Sequence, residues 1–242
     1  MKKGQAEREI RRLAAQAVHR YGMINRDDRI LAAVSGGKDS LTMLWYLVDV
    51  LKRAPIKYEI IPVYLEMGFD GQGMERMEKY LAMLGLPYHV EATRYGLQAQ
   101  ERFGKLNPCF VCSRRRRKRL FDLAHELHCN KIALGHNQDD FIETFLLNML
   151  FGAETSTMKP LQSIFDGKLT VIRPLAHSHR AAIESLVMEA GLPCFDNLCP
   201  SAKKSQRMTV RRLLKLLYRK NPKIRGNIFH AMHNVNFEYL LH

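Results

Sequence analysis

Residues 30–44, ILAAVSGGKDSLTML, combine an apolar run, a glycine turn and a helical pattern. The run Ile30 to Val34 stops at Ser-Gly-Gly, and apolar residues then recur at spacings of three and four from Leu41 onward. This order predicts a strand, a turn and the start of a helix. In that geometry the glycines let backbone amides approach an anion, and the first helical turn points its unpaired N–H groups at it. The stretch therefore predicts a phosphate site.

The side chains of this turn suit a nucleotide. Lys38 adds positive charge, and Asp39 can cap the helix or hold Mg²⁺. The spacing GxxxxGK[ST] of a Walker A loop is absent. SGGKDS instead resembles the pyrophosphate-binding loop (PP-loop) of the ATP pyrophosphatases. An ordinary strand-to-helix turn is the alternative. The resemblance implies that ATP contacts the residues Ala33, Ser35, Gly36, Gly37, Lys38, Asp39 and Ser40, with the adenine against the backbone near Ala32 and Tyr64–Leu65.

Composition limits the class of protein. The 242 residues are 46% hydrophobic, and 38 Lys+Arg against 24 Asp+Glu give a formal charge of +14, which favours a polyanionic partner such as nucleic acid. No apolar run reaches the length of a membrane span, so we expect a cytoplasmic protein without membrane contact. Five cysteines in that compartment favour metal or redox chemistry over disulfides.

The remaining pattern alternates strands with helices. This predicts an α/β fold with a doubly wound, five-stranded parallel sheet and ligands at the carboxyl ends of its strands. Pro62 fits an edge or irregular position in the second strand. The predicted strands are 29–34, 59–65, 88–92, 131–134 and 170–173, and the predicted helices are 5–22, 74–84, 113–127, 139–151 and 180–190, with 96–108 irregular. The predicted domains are an N-terminal helix (1–24), an ATP-binding domain (25–193) and a basic helical region (194–242).

Cysteines mark a second site. Cys109 and Cys112 form a CxxC directly before a predicted helix, and Cys199 lies far along the chain. A helix N-terminus and nearby arginines are expected to lower thiol pKa values and favour the thiolate that binds metals. Structural zinc, a redox dithiol and an iron–sulfur cluster all remain open, since a lone CxxC does not separate them.

Five separated motifs together resemble the tRNA 2-thiocytidine synthetase (TtcA) family. They are SGGKDS, CFVCSRRRR, KIALGHNQDD, IRPL and NLC, within residues 25–207. The resemblance implies that Cys109, Cys112 and Cys199 hold a [4Fe–4S] cluster with one open iron. It also departs at Asp196, where the family often has a cysteine. Cys194 is therefore a candidate substitute or fourth ligand, whereas Cys129 is expected to be a small buried residue.

Two basic elements are candidate RNA contacts. Arg116 and Arg117 lie one turn before Leu120 on the apolar face of their helix, so we expect them to face a cleft and meet an anion: the cluster, AMP or RNA phosphate. Ten basic residues and no acidic one lie between 201 and 226, where leucines provide an apolar side. A membrane surface or RNA explains such a helix, and RNA is preferred. The predicted RNA contacts there are Lys203, Lys204, Arg207, Arg211 and Arg212.

Acidic residues follow the fourth strand. Asp139 and Asp140 open a helix and either cap it or, as the resemblance implies, face ATP and Mg²⁺. Gly135 and His136 precede them, and His136 is a candidate phosphate contact. Lys38, Asp39, Asp139 and Asp140 form the predicted catalytic set.

Together these motifs predict an ATP-dependent tRNA sulfurtransferase. The resemblance implies a cytidine of the tRNA anticodon loop as target, base adenylation before sulfur transfer, and a sulfur donor that is either a cysteine desulfurase or inorganic sulfide. A homodimer is considered possible. The alternatives are a PP-loop lysidine- or amide-forming ligase with structural zinc, and a cluster-bearing RNA-binding or redox-sensing protein without catalysis.

Overall fold

The computed structural model describes residues 4–69, 71–103, 108–195, 199 and 206–239. The helices are α1 Gln5–Tyr21, α2 Lys38–Arg53, α3 Gly71–Met83, α4 Tyr95–Phe103, α5 Pro108–Glu126, α6 Gln138–Gly152, α7 Arg180–Ala190, α8 Gln206–Lys220 and α9 Ile224–Ala231. The strands are β1 Arg29–Val34, β2 Glu59–Glu66, β3 His89–Ala92, β4 Lys131–Ala133, β5 Leu161–Ile164 and β6 Leu169–Ile172. These elements form two compact units, one of residues 1–137 and 160–202, the other of 138–159 and 203–242. The domain limits predicted from sequence stay a prediction.

The sheet of the first unit has the order β3-β2-β1-β4-β6-β5. All pairs are parallel except β5 with β6. The chain runs outward from β1 to β3 and then returns to β4 on the other side of β1. Because right-handed crossovers then place helices on opposite faces, the sheet is doubly wound, with its switch point between β1 and β4. The carboxyl ends of β1 and β4 therefore flank one crevice.

The sequence predicted five strands, and the structure adds a sixth, β5. This edge strand, Leu-Gln-Ser-Ile, is half polar and lacks the apolar run that marks β1 and β2. Its hairpin turn holds Phe165, Asp166 and Gly167 at positive φ (52°, 53° and 86°). Asp-Gly is a recognised hairpin signal, whereas hydrophobic periodicity alone does not mark this strand.

Pro62 lies in β2, an interior strand, at a position that fits the edge or irregular placement predicted for it. It is in register with Ala32 of β1, whereas pairing of β2 with β3 begins one residue later, at Val63. A residue without an N–H is therefore placed where β2 has a neighbour on one side.

Two helix predictions need correction. The segment predicted as irregular contains α4, because Gly96 is not a helix breaker here: a Cβ at Gly96 would lie 2.2 Å from Cε2 of the Phe69 ring, so the glycine permits a close contact. The helix predicted from Ser113 begins at Pro108, a residue favoured at the first helical position. The CxxC therefore lies in the first turns of α5 and not before it, which puts its two cysteines on one helical face.

One face of α5 packs against the sheet and forms part of the hydrophobic core. Leu120, Leu123 and Ala124 are buried against alternate residues of β1, including Leu31. Cys129 belongs to the same cluster, and burial raises the pKa of its thiol to about 11, which confirms its expected role as a small core residue. Burial of this face fixes α5, and hence its first turns, against the sheet.

An ion pair between β3 and α5 supports the same placement. The Arg119 guanidinium donates to both carboxylate oxygens of Glu91, from Nε at 2.9 and 3.0 Å and from Nη2 at 2.7 Å. These bonds hold the pKa of the Glu91 carboxyl below its ordinary value. Both side chains are about three-quarters buried. A largely buried ion pair with several hydrogen bonds stabilises the folded protein more than a solvent-exposed ion pair does.

Glu91→Gln is expected to lower the free energy of unfolding by about 2 kcal/mol near neutral pH. Since the folded-state pKa is depressed, the contribution of Glu91 is present above its unfolded-state pKa and is lost as pH falls from about 4.5 through the lower folded value. Denaturant titrations at several pH values test this. The curves of the two proteins should converge in acid, and Glu75→Gln, which removes the exposed pair with Lys79, is the control that should change nothing. A pH-independent difference would contradict the assignment.

In the second unit α6 packs against α8 and α9. The predicted single basic helix is interrupted at residues 221–223, because Pro222 disfavours helical geometry at Asn221. Val210 and Leu214 are buried, whereas Leu213 and Leu216, predicted to dock, are exposed. Among the helices within the described ranges, none is both long and apolar enough to cross a membrane.

Candidate nucleotide site and cysteine cleft

The turn after β1 has the geometry expected of an anion site. Gly36 has φ +76° and Gly37 caps α2, so the first turn of α2 directs its N–H groups out of the loop. The Ser40 hydroxyl holds the turn closed, since it accepts from the Ser35 N–H at 3.0 Å and donates to the Gly37 carbonyl at 2.9 Å. Ser35 Oγ lies 3.1 Å from Ser40 Oγ. The two serines thus shape the loop from within.

The charged side chains of the loop have partners that the sequence did not reveal. Lys38 forms an ion pair with Glu184 of α7. Asp39 accepts a hydrogen bond from the Asn137 side-chain amide at 2.8 Å, and Asn137 is fully buried. Both partners lie in the first unit. Asn137 falls within the GHNQDD motif, so the motif carried a signal for it, whereas nothing in the sequence indicated Glu184.

Phe195 covers the loop. Its N–H donates to the Gly36 carbonyl at 3.1 Å, and a Cβ at Gly36 would lie 2.2 Å from the Phe195 ring. The same ring meets Tyr64 edge-on, with centroids 6.1 Å apart. Tyr64 and Leu65 are buried near the carboxyl end of β2, beside Ala33 and Val34 of β1. These residues share the edge predicted for adenine, and their contact with it stays a prediction.

Gly135, directly after the β4 edge of the crevice, touches the start of α2. A Cβ there would lie 2.8 Å from the Ser40 amide nitrogen and 2.9 Å from the carbonyl carbon and oxygen of Asp39. Because these are backbone atoms, residue 135 has to be glycine for β4 and α2 to approach this closely. The predicted site residues from the two strands therefore meet.

A cleft of about 350 Å³ in the same unit contains the three predicted metal ligands. Cys109 is exposed, and Cys112 and Cys199 are half-buried. Gln100 Nε2 lies 3.7 Å from Cys199 Sγ. Apolar walls come from Met67, Phe69, Leu120 and Leu134, and the polar end from Arg116, Arg117 and His136.

The thiols of this cleft differ from the expectation of lowered pKa values. Burial raises the pKa of Cys109 and of Cys112, and the nearby Cys199 raises both further. Arg116 acts in the opposite direction on Cys112 but does not reverse the shift. The expectation failed because the helix turn that carries the CxxC is partly desolvated. All three thiols nevertheless line the same cleft.

The donor set of the cleft suits a soft metal centre. Three thiols are the ligands that iron–sulfur clusters and zinc prefer, and bound metal removes their protons. Within the described residues, no three Cys, His, Asp or Glu side chains already have metal-binding geometry.

Cys194 lies elsewhere. Its pKa is raised by burial and by the charge of Asp39, while Lys38 lowers it. Those neighbours belong to the PP-loop, whereas the thiols of Cys109 and Cys112 respond to Cys199. Cys194 is not among the described residues that line the cysteine cleft, and its role as a fourth ligand stays untested.

Arginines gather at the polar end of the cleft. Arg116 is half-buried and desolvation lowers its pKa, and Arg117 is exposed at the cleft rim. Arg173, which lies in the IRPL motif but was given no role from sequence, is 7% exposed, and burial together with Arg117 lowers its pKa to about 10. Its Nε donates to His136 Nδ1 at 3.2 Å. Arg116 and Arg117 both line the cleft and give it positive charge, whereas the anion that they meet stays a prediction.

The second unit holds the other predicted residues. Asp139 and Asp140 begin α6 and are buried, with Arg225 Nε 3.4 Å from Asp139 and Arg207 and Arg211 each 3.9 Å from Asp140. Glu143, also buried, accepts from Arg211 Nε at 2.7 Å. Arg207 and Arg211 therefore have acidic partners, whereas Arg212 is exposed. Lys203 and Lys204 lie outside the described residues. The roles of all these residues in ATP or RNA binding stay predictions.

The comparisons with known proteins agree with this architecture. A family profile described as a PP-loop domain matches residues 3–217. The U34-tRNA thiolase NcsA from Methanococcus maripaludis, solved with its [4Fe–4S] cluster, has the same fold, with a TM-score of 0.79 at 23% identity over 99% of this chain and 81% of that chain. The first unit therefore belongs to the class of PP-loop nucleotide-binding domains.

Curated relatives identify the family within the PP-loop class to which the chain belongs. The tRNA-cytidine(32) 2-sulfurtransferase of Pelobacter propionicus is 37% identical over 237 residues, 97% of this chain and 88% of the relative. The enzyme of the same name from Pseudomonas syringae is 39% identical over 233 residues, 95% of this chain and 84% of the relative. The chain belongs to the tRNA-cytidine(32) 2-sulfurtransferase family.

Proposed function

We propose that this protein is an ATP-dependent tRNA sulfurtransferase that converts a cytidine at position 32 to 2-thiocytidine. The observation that carries the proposal is the adjacency of the two sites. Gly135 touches the start of α2 at the PP-loop, and the next residue, His136, lines the cleft that contains Cys109, Cys112 and Cys199. A base activated at one site can thus be reached from the other without leaving the protein. The names of the family members supply the target base.

The first half-reaction is adenylation. The O2 oxygen of the cytidine attacks the α-phosphorus of ATP, a P–O bond to the base forms, and pyrophosphate leaves. The N–H groups of the first turn of α2 and the Lys38 ammonium stabilise the negative charge that develops on the phosphates. Lys38 has to exchange Glu184 for phosphate to do so. Glu184 thereby keeps the lysine at the loop when nucleotide is absent.

The second half-reaction replaces oxygen by sulfur at carbon 2 of the base, and AMP carries the oxygen away. Cys109, Cys112 and Cys199 are the residues that would hold a [4Fe–4S] cluster, and the cluster would supply the sulfur to be transferred. Arg116 and Arg117 place positive charge beside these thiols, where the bound centre and its thiolates are anionic. The apolar walls exclude water, which would otherwise hydrolyse the activated base.

We propose that three acidic residues bind Mg²⁺ or position it with ATP. Asp39, oriented by Asn137, is the proposed ligand at the PP-loop. Asp139 and Asp140 are proposed to position Mg²⁺–ATP, and their arginine partners would then have to share them. The sulfur donor, a cysteine desulfurase or inorganic sulfide, the cytoplasmic location and a homodimer stay predictions.

The proposed RNA surface is the exposed face of α8. It consists of Arg212, Lys215, Arg219 and Lys220, whose side chains are exposed. Arg207 and Arg211 contribute less in this proposal, because their charges are partly neutralised by Asp140 and Glu143. Phosphate contacts from this face release counterions, so tRNA binding should weaken steeply with salt.

Arg212→Ala is expected to weaken tRNA binding and to lower the slope of log affinity against log salt by roughly 0.7–0.9, the contribution of one phosphate contact. Fluorescence anisotropy with labelled tRNA over a salt series measures the slope. Lys52→Ala, which removes an exposed charge of the first unit, is the matched control and should leave the slope unchanged. An Arg212→Ala slope equal to that of the control would show that α8 does not contact the RNA.

The function itself is tested by reconstitution. Anaerobically purified protein with ATP, Mg²⁺, sulfide and tRNA should form AMP and pyrophosphate only when tRNA is present, and nucleoside analysis should show 2-thiocytidine. Iron and acid-labile sulfide should accompany the protein. Stoichiometric zinc without sulfide would favour the ligase alternative, and binding of tRNA without AMP formation would favour a non-catalytic protein.

A further inference from the structure

Three consecutive residues join the two sites of the first unit. Gly135 lies against the backbone of Ser40 and Asp39, and Asn137 donates to Asp39 Oδ1 at 2.8 Å. Residues 135 and 137 thus contact the PP-loop, and His136 between them lines the cysteine cleft.

Arg173 holds the imidazole of His136 in place through a hydrogen bond to its Nδ1 atom. It follows β6, the neighbour of β4, and its N–H donates to the Pro160 carbonyl at 2.9 Å. Leu134, at the end of β4, donates to the Ile172 carbonyl at 2.9 Å, so the two strand ends are held in register up to these residues. Arg173 Nε then donates to His136 Nδ1 at 3.2 Å. With 7% exposure the guanidinium has little freedom to leave.

This bond determines where the imidazole carries its proton. A guanidinium has donors and no acceptor, so Nδ1 of His136 has to be the acceptor. In the neutral ring the proton then resides on Nε2. His136 is thereby a hydrogen-bond donor at Nε2.

We propose that Arg173 is a positioning residue that fixes His136 as an Nε2–H donor to a phosphoryl oxygen of the adenylated base. The proposal rests on the proposed function. A phosphoryl oxygen is the acceptor that this place favours, because Gly135 and Asn137 put the histidine beside the helix turn that binds the phosphates. The donor would stabilise the charge that AMP gains as the bond from carbon 2 to oxygen breaks, and no proton need be transferred.

The tautomer is tested without tRNA or thiolation. The full-length chain, labelled with ¹⁵N-histidine, is expected to show His136 with an unprotonated Nδ1 and a protonated Nε2 in long-range ¹H–¹⁵N spectra, assigned by loss of the signal in His136→Gln. Arg173→Met should give a mixture of both tautomers, and Arg173→Lys, whose ammonium can donate to Nδ1, should restore one. A protonated Nδ1 in the wild-type protein would overturn the proposal.

The role is tested by a double-mutant cycle on release of AMP from adenylated tRNA. Arg173→Met is expected to slow this step about tenfold through lost orientation, and Arg173→Lys to recover most of the rate. His136→Gln retains a donor near the Nε2 position, and in that background Arg173→Met should have no further effect. Equal effects in both backgrounds would show that Arg173 acts only structurally. Absence of thiolation by the wild-type protein would refute the proposed function while leaving the tautomer result standing.

Discussion

Cys112→Ala is expected to lose its iron and acid-labile sulfide and to reduce tRNA thiolation by roughly a hundredfold or more. The three thiols line one cleft, where Cys199 raises the pKa values of Cys109 and Cys112, and three ligands leave no spare donor if one is removed. ATP affinity should change little, because the PP-loop is built by other residues. The measurements are iron and sulfide content, the visible spectrum, thiolation in a single turnover, and ATP binding by calorimetry.

Two other cysteines provide matched controls for this experiment. Cys129→Ala removes a buried thiol of the core and should cost stability without loss of iron. Cys194→Ala tests the fourth-ligand alternative. Because the charges of Asp39 and Lys38 influence the pKa of Cys194, we place this residue near the PP-loop and expect the variant to retain its iron. ATP binding should change slightly if at all. Iron retained by Cys112→Ala, or lost from Cys194→Ala, would contradict the ligand assignment.

The local sequence pattern was sufficient to predict much of the fold. The first strand, the PP-loop and α2 follow from an apolar run, two glycines and a 3.6-residue period, and the structure confirms all three. Hydrophobic periodicity also located α1, α6 and α7 to within a residue or two. It failed at β5, whose side chains are half polar, and at α4, where Gly96 makes a contact with Phe69 that no local pattern shows.

The sequence predicted the site residues that lie within a recognisable motif. It did not predict the contacts between residues that are far apart along the chain. The cysteines, Gly135 and His136 were found from sequence, and the structure puts them in the first unit. Asn137 and Asp39 are separated by 98 residues, Glu184 and Lys38 by 146, and Arg173 and His136 by 37. Such pairs depend on the strand order, which brings β4 between β1 and β6, and this order was not derivable from periodicity.

Gly135→Ala is expected to weaken ATP binding and to slow tRNA-dependent AMP formation on the order of a hundredfold, the cost that misplacement of about 1 Å imposes on a catalytic site. The added Cβ would lie 2.8–2.9 Å from backbone atoms of Ser40 and Asp39, so either β4 or the first turn of α2 has to move. A rotamer change cannot relieve a clash with backbone. The Asn137 bond to Asp39 should be strained by the same shift.

The effect should appear in calorimetric ATP affinity and in tRNA-dependent AMP formation, while circular dichroism and cooperative unfolding establish that the variant folds. Gly152→Ala, at the end of α6, is the matched control, because a Cβ there meets nothing within 4 Å. It should bind ATP as the wild type does. If Gly135→Ala binds ATP with unchanged affinity in a folded protein, then the close approach of β4 to α2 is not a requirement of the nucleotide site, and the adjacency that connects ATP to the cysteine cleft loses its main structural support.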